Sequence, residues 1–243
     1  IADGDHYVID GGKNHALGAA NAHRVIVAAH IGPADIGLFA LDPQTPGLSM
    51  REREALGMRG AGGVYELSCN KVRAPRSALL DVPPDGRRAV EALLDRDGVL
   101  QAAYCIGCAQ QVVDDAVRYA GEREQFGQPI GKFQAIAHLL ADLQVEVDAA
   151  RWLMYRAASA IDDGTSGGRE AAMADLACTD ALQHATSQCM RVYGGYGLTM
   201  EFDIQRHFRD ARMFVGETGA RQFRRHQIAH AMGLHGGAGW QQP

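Results

Sequence analysis

From Phe133 onward, apolar residues recur at alternating spacings of three and four: Ile136, Leu140, Leu143, Val147, Ala150, Met154, Ala157 and Ile161. A period of about 3.5 residues keeps one seam facing neighbouring helices, so the pattern predicts a helix packed in a left-handed bundle. Residues 169–192 carry a different stripe, Ala174, Cys178, Ala181, Ala185 and Cys189, whose small side chains let another helix approach closely. A further helix is predicted over roughly 87–120 and a shorter helical segment near 204–232, with Gly164 to Gly168 as the loop between the second and third helices. Before residue 80 the rhythm is different, because short β-rich runs are broken by turn residues. Tyr7–Ile9 runs into Asp10-Gly11-Gly12, a hairpin-type signal since glycine tolerates positive φ. Val25–Val27, Ile36–Leu41 and Tyr65–Cys69 read as strands, the last alternating apolar and polar as a half-buried strand does. Pro33, Pro43, Pro46 and Pro75 fall between or beyond these runs, where a missing N–H does no harm. The change at Pro83-Pro84-Asp85-Gly86 predicts a small β domain over 1–84, a helical domain over 85–234 and a disordered tail over 235–243.

Composition narrows what such a chain can do. With 243 residues, 47% of them hydrophobic, it has room for one large or two modest domains. The net charge of −5 is spread without a basic stripe, which excludes a nucleic-acid partner. The longest apolar runs, such as Val25–Ala29, fall short of the roughly 20 residues of a membrane helix, so no membrane association is expected. Five cysteines, an odd number, make no disulfide framework and predict a reducing, cytoplasmic setting. Cys105-Ile-Gly-Cys108 has CxxC spacing but lies in an apolar helical run without a second pair, so small core residues are expected there. His226 and His230 have i,i+4 ligand spacing without a completing carboxylate, and no metal is expected. The chain starts at Ile1 rather than Met, which predicts that something upstream has been removed.

Two stretches carry candidate chemistry. Arg123-Glu-Gln125-Phe126-Gly127, followed by Pro129-Ile-Gly-Lys-Phe-Gln134, places a cation, an aromatic and amides in one inter-helix loop. A guanidinium grips a pyrophosphate bidentately and an amide reads an adenine edge; the alternative is a surface turn with Phe126 as a hydrophobic plug. Downstream, Arg191-Val-Tyr-Gly194-Gly195-Tyr-Gly197 leads to Glu201 and Arg209-Asp-Ala-Arg212. Glycines there let backbone N–H groups approach phosphate, or simply end a helix. Together these stretches resemble the acyl-CoA dehydrogenase family, whose signatures read R-x-x-F-G-x-x-I/L-x-x-F/H-Q, G-G-x-G-x-x-x-E and R-D-A-K/R. Leu56–Gly60 and Val72–Pro75 match more loosely, so the resemblance covers about 1–232 and is strong after 90.

The resemblance implies an α+β fold by domains: a small β domain, a partial β-barrel, then a C-terminal antiparallel four-helix bundle, with the family's N-terminal helical domain absent from this chain. It implies FAD bound across a subunit contact in a dimer or tetramer, homo- or hetero-oligomeric, by Arg123, Gln125, Phe126, Gln134, Arg191, Gly194 and Gly195. It further implies an acyl-CoA substrate, a carboxylate that removes the α-proton while flavin N5 takes the β-hydrogen, and an electron-transferring flavoprotein as acceptor. Two carboxylates compete as base. Counting from Arg209-Asp-Ala211 leaves Glu217 one position early for the family's usual glutamate, and one residue turns a helical side chain by about 100°. Alignment on Gly107 instead puts Asp97 where the isovaleryl-CoA dehydrogenase-like minority carries its base. Asp97 shares a stripe with Leu93, Leu100 and Tyr104, and an inward-facing carboxylate is expected there; the alternative is that Asp97-Gly98 caps or kinks a helix. His15-Ala-Leu17 stands where the family has W-I-T or W-I-S against the flavin. That departure keeps a catalytically silent subunit of the same fold, or another flavin reaction such as an oxidase or desulfinase, as competing expectations.

Overall fold

A computed structural model describes residues 2–32, 35–58, 62–80, 86–164, 168–216 and 218–234. The chain divides into two compact units, 1–93 and 94–243. The expectation of a disordered 235–243 tail lies outside the described residues.

In the first unit the strands are β1 (Ala2–Asp3), β2 (His6–Leu17), β3 (Val25–His30), β4 (Ile36–Leu41), β5 (Leu48–Arg53) and β6 (Val64–Pro75). One antiparallel sheet is ordered β1-β2-β6-β5, and β3 pairs with β4 separately. Both sheets feed one core: Ile9, Val27, Phe39, Leu41, Val72 and Ala74 are buried together. Tyr7 meets Phe39 edge-on at 5.2 Å, the approach an aromatic quadrupole favours.

Two details of this unit differ from the sequence pattern. Asp10-Gly11-Gly12 makes no hairpin; it is an irregularity inside β2, where the register against β6 shifts between Ile9 and Gly11. The Lys71 backbone N–H donates to Asp10 Oδ1 at 2.6 Å, so the aspartate stitches the bulge across the strands instead of reversing the chain. The second difference is β5, which the pattern misses because only Leu48 and Met50 are apolar in it. It is held as an edge strand by its ladder to β6 and by Arg51 and Arg53 on Glu66, each at 2.6 Å. Gly47, at φ 88°, makes its entry possible, since a Cβ there would lie 2.5 Å from the Asn70 carbonyl oxygen.

The second unit is helical, built on α1 (Gly86–Glu122), α2 (Gln134–Asp162), α3 (Gly168–Tyr193), α4 (Ile204–Gly216) and α5 (Thr218–Ala231). The helical segment expected near 204–232 is supplied by α4 and α5, on either side of Glu217, which lies outside the described residues. On α2 the buried residues are Leu140, Leu143, Val147, Ala150, Met154 and Ala157, the central part of the predicted seam. On α3 all five stripe residues are buried, and α3 packs against α2, α4 and α5. Cys105, Cys178 and Cys189 are buried free thiols; burial pushes the last two up to about 12, so they act as small apolar groups. Among the described residues no helix is long and apolar enough to cross a membrane.

Because α3 has no room beside its small residues, Ala181→Leu is expected to lower stability by about 1–3 kcal/mol. Ala149→Leu, on the exposed side of α2, should stay within about 0.5 kcal/mol. Urea denaturation of the two variants compares them directly; equal midpoints would contradict the close helix approach.

Candidate functional site

Arg123 follows the last residue of α1, its N–H still bonded to the Tyr119 carbonyl at 2.8 Å. The chain then reverses in a two-residue hairpin, with β7 (Glu124–Gln125) paired to β8 (Gln128–Pro129). Phe126 at φ 53° and Gly127 at φ 76° are both left-handed, the twist that so tight a hairpin needs. Glycine takes that conformation freely, whereas phenylalanine gives up roughly 1–2 kcal/mol to do so. The strained ring is 94% exposed, touching Phe133 edge-on at 6.1 Å.

The second corner begins where α3 ends. Gly194 turns to φ 59°, and Gly194–Leu198 continues as a tight 3-10 turn. A Cβ on Gly197 would stand 2.7 Å from the Met190 carbonyl oxygen, so only glycine lets the turn lie against the helix it leaves. At Gly194 and Gly195 a Cβ would meet nothing within 4 Å. Their backbone faces open space.

The two corners meet within one chain. A cavity of about 450 Å³ is lined by Tyr119, Arg123, Gln125, Gly194, Gly195 and Tyr196, among others. The Arg123 guanidinium lies 5.5 Å over the Tyr196 ring, where the negative face of the aromatic holds a cation. Behind them Tyr119 and Tyr193 stack at 4.3 Å, and Phe202 meets Tyr119, Tyr193 and Tyr196. Burial, with Asp115 adding to it, pushes the Tyr193 phenol up to about 12, so it stays neutral. A cation held over an aromatic ring, open glycine backbone and an aromatic wall together suit a phosphate-bearing ligand with a flat ring, and the residues present fit a dinucleotide such as FAD.

Of the predicted set, the cavity wall takes in Arg123, Gln125, Gly194 and Gly195, and does not include Phe126, Gln134 or Arg191. The Gln125 side chain donates to the Glu124 carbonyl at 2.7 Å. Gln134 is the exposed first residue of α2. Arg191, exposed in the last turn of α3, donates to Gln188 at 2.7 Å. Sequence reasoning passed over Tyr119 and Tyr196, although Tyr119 stands one helical turn before Arg123 and so shares its face.

Asp97 lies near the other end of α1. Its expected inward orientation is corrected: Asp97 is exposed, and so are Leu93, Leu100 and Tyr104 of its stripe. The face that α1 buries carries Ala102, Cys105, Ile106, Ala109, Val112 and Val113. Neither does Asp97-Gly98 cap or kink α1, which runs unbroken past both. Even so, Asp97's carboxyl is pushed above the ordinary aspartate value of 3.8, chiefly by the protein that desolvates part of it, with Asp175 adding and Arg224 opposing. Glu217 lies outside the described residues. His15-Ala-Leu17 ends β2 in the first unit, with His15 itself at φ 60°.

Residues 84–233 match the family model described as acyl-CoA dehydrogenase, C-terminal domain. Glutaryl-CoA dehydrogenase of Desulfococcus multivorans is 35% identical over 223 residues, 89% of this chain and 57% of that protein. The caffeyl-CoA reductase-Etf complex subunit CarC of Acetobacterium woodii is 31% identical over 90% of this chain and 59% of its own. The structure of butyryl-CoA dehydrogenase from Megasphaera elsdenii superposes with a TM-score of 0.88 at 29% identity, covering 95% of this chain and 61% of that one. The chain thus spans less than two thirds of the length of each of these relatives. A family model matching more than half of the chain and relatives above 30% identity along nearly all of it agree with the paired corners: the chain belongs to the acyl-CoA dehydrogenase family of FAD-dependent flavoprotein oxidoreductases.

Proposed function

We propose that this chain is the cofactor-gripping and base-bearing part of an FAD-dependent acyl-CoA dehydrogenase, which forms the α,β-double bond of an acyl-CoA thioester. The observation that carries this reading is the cavity in which Arg123 faces Gly194 and Gly195. There Arg123 holds the pyrophosphate, the glycine N–H groups and the Gln125 amide supply further hydrogen bonds, and Tyr196 gives the ring surface. In this reading α1, α2, α3 and the α4–α5 pair make the family's antiparallel four-helix bundle, and the β unit is its middle domain.

Bound FAD supplies the acceptor for the β-hydrogen. The chain's own task is the α-proton: the C–H bond breaks, its electron pair stays with the thioester carbon skeleton, and the proton passes to a carboxylate oxygen of Asp97. A base whose proton affinity is raised by desolvation suits that task. Glu217 is the alternative base. The names of relatives that act on glutaryl-CoA and butyryl-CoA support a short acyl-CoA substrate, and the Etf-complex relative supports an electron-transferring flavoprotein as acceptor.

Arg123 and Asp97 are separated by more than two thirds of α1, roughly 39 Å of helix rise. That exceeds the span of an extended dinucleotide, so a single copy does not bring both to one FAD. The corner of one copy and the Asp97 of another would serve the same cofactor in a dimer or tetramer, and the strained, exposed Phe126 ring suits a contact with the second copy.

Arg123→Gln removes a charged hydrogen-bonding group worth about 1.5–3 kcal/mol, so the FAD dissociation constant is expected to rise roughly 10- to 150-fold. Fluorescence titration of the apoprotein with FAD measures it, and unchanged affinity would remove the corner from the cofactor site. Asp97→Asn should retain FAD yet lose flavin bleaching by butyryl-CoA, while Glu217→Gln bleaches normally; the reverse outcome assigns the base to Glu217. In the unaltered protein the acid limb of bleaching should lie above the ordinary aspartate value, since desolvation raises the Asp97 carboxyl and deprotonation is needed for it to accept a proton.

A further inference from the structure

Among the described residues, the most buried charged side chain in the helical unit belongs to no motif. Arg224, on α5, is 4% exposed, and the Asp175 it faces on α3 is 5% exposed. Arg224 Nε donates to Asp175 Oδ2 at 2.8 Å, Nη1 to Gln227 Oε1 at 3.1 Å, and Nη2 to the carbonyl of Leu94 on α1 at 2.7 Å. Asp95 lies 3.5 Å from Nη1 and accepts from Gln227 at 3.0 Å. Asp175 also accepts from Gln101 of α1 at 3.0 Å. Three helices are tied together through one guanidinium. Burying such a charge costs several kcal/mol unless every donor is satisfied, so a network this complete marks a place where geometry is held closely.

That place is the turn of α1 that carries Asp97. In an α-helix the Leu94 carbonyl is the acceptor for the Gly98 N–H, and Arg224 shares that carbonyl from outside the helix. A Cβ on Gly98 would stand 2.3 Å from Arg224 Nη2. Glycine at 98 is what lets the Nη2 edge of the guanidinium approach the backbone next to Asp97. An ordinary ion pair between helices would have no need of bare backbone there.

We propose that Arg224 is the positioning residue of the base: seated on the glycine of the 94–98 turn, it sets the orientation of Asp97 and supplies the fixed positive charge beside it. The proposal rests on the reading of Asp97 as base. Two charged groups from other helices act on the Asp97 carboxyl, Arg224 of α5 favouring its ionised form and Asp175 of α3 opposing it, while Asp95 and Arg96 flank it on its own helix. Opposite and like charges move a carboxyl in opposite directions, so Arg224 and Asp175 adjust, each in its own direction, the pH that desolvation has already raised for the base to become available.

The test is the pH profile of flavin bleaching by butyryl-CoA in the FAD-loaded protein, alongside thermal melting. Arg224→Gln is expected to move the acid limb up by about one pH unit, with Arg224→Lys restoring most of it. Asp175→Asn keeps the shape and the acceptor for Gln101 and should move the limb down. Gly98→Ala, which pushes the guanidinium off the turn, should act like Arg224→Gln. Variants that melt earlier while the limb stays put would overturn the proposal and leave a purely structural ion pair. If Arg224→Gln does not fold, the direction of the Asp175→Asn shift decides: downward supports the proposal, unmoved or upward overturns it. Asp97→Asn separates the two readings, because bleaching that survives in it removes the base assignment itself, whereas bleaching lost in it with limbs unmoved in the other variants removes only the role of Arg224.

Discussion

The close approach of helices to α3 is the constraint on which the helical unit depends. Ala174, Cys178, Ala181, Ala185 and Cys189 bury completely or nearly so, and α2, α4 and α5 all pack on this one helix. Small side chains gain little individually from burial, but they bring whole backbones into contact and so multiply dispersion along the helix length. The polar exceptions on α3 are correspondingly disciplined. Thr186 returns its hydroxyl to the Leu182 carbonyl within the helix, and Asp175 is answered by Arg224 and Gln101. With α3 fixed, its C-terminal glycines have a defined place beside Arg123.

That arrangement leaves the candidate site residues near the ends of helices and the buried core in their middles. At one end of α1 the helix stops, the hairpin bends back, and Arg123 is left over an aromatic ring beside bare glycine backbone. Near the other end Gly98 opens a seat for a guanidinium next to an exposed carboxylate. Between them lie about five turns of buried alanine, valine, isoleucine and cysteine. Such a spacer holds the two ends of α1 at a set separation.

Much of this was legible in the sequence because periodicity reports burial directly. The seams of α2 and α3 follow the three-four rhythm, and Ile36–Leu41 stands as a strand with the boundaries its apolar run suggests. The loop around Arg123 and the corner at Gly194 were legible as candidates because, in that order, they resemble the family signatures; each alone reads equally well as a surface turn or a helix end. β5 was not, since an edge strand takes its order from the ladder of its neighbour. Asp10-Gly11-Gly12 was misread because glycine marks a bulge and a hairpin alike, and the Asp10 bond to Lys71 that distinguishes them spans 61 residues of chain. The face of Asp97 was misjudged for a related reason: two apolar stripes run along α1, and the one carrying Ala102, Cys105, Ile106, Ala109, Val112 and Val113 is the one that tertiary packing buries.

The sequence alone determined the order of a β unit and a helical unit, the faces of α2 and α3, the family signatures and the exclusion of a basic nucleic-acid surface, all of which depend on residues near one another in the chain. Only the tertiary structure decided that Arg123 and Gly194–Gly195 line one cavity, that Tyr196 and Tyr119 belong to it, that Asp97 points outward, and that Arg224 lies on Gly98. Each of those is a meeting between segments far apart in sequence, fixed by how closely backbones can pack and by where a buried charge finds its partners, and local pattern carries no record of either.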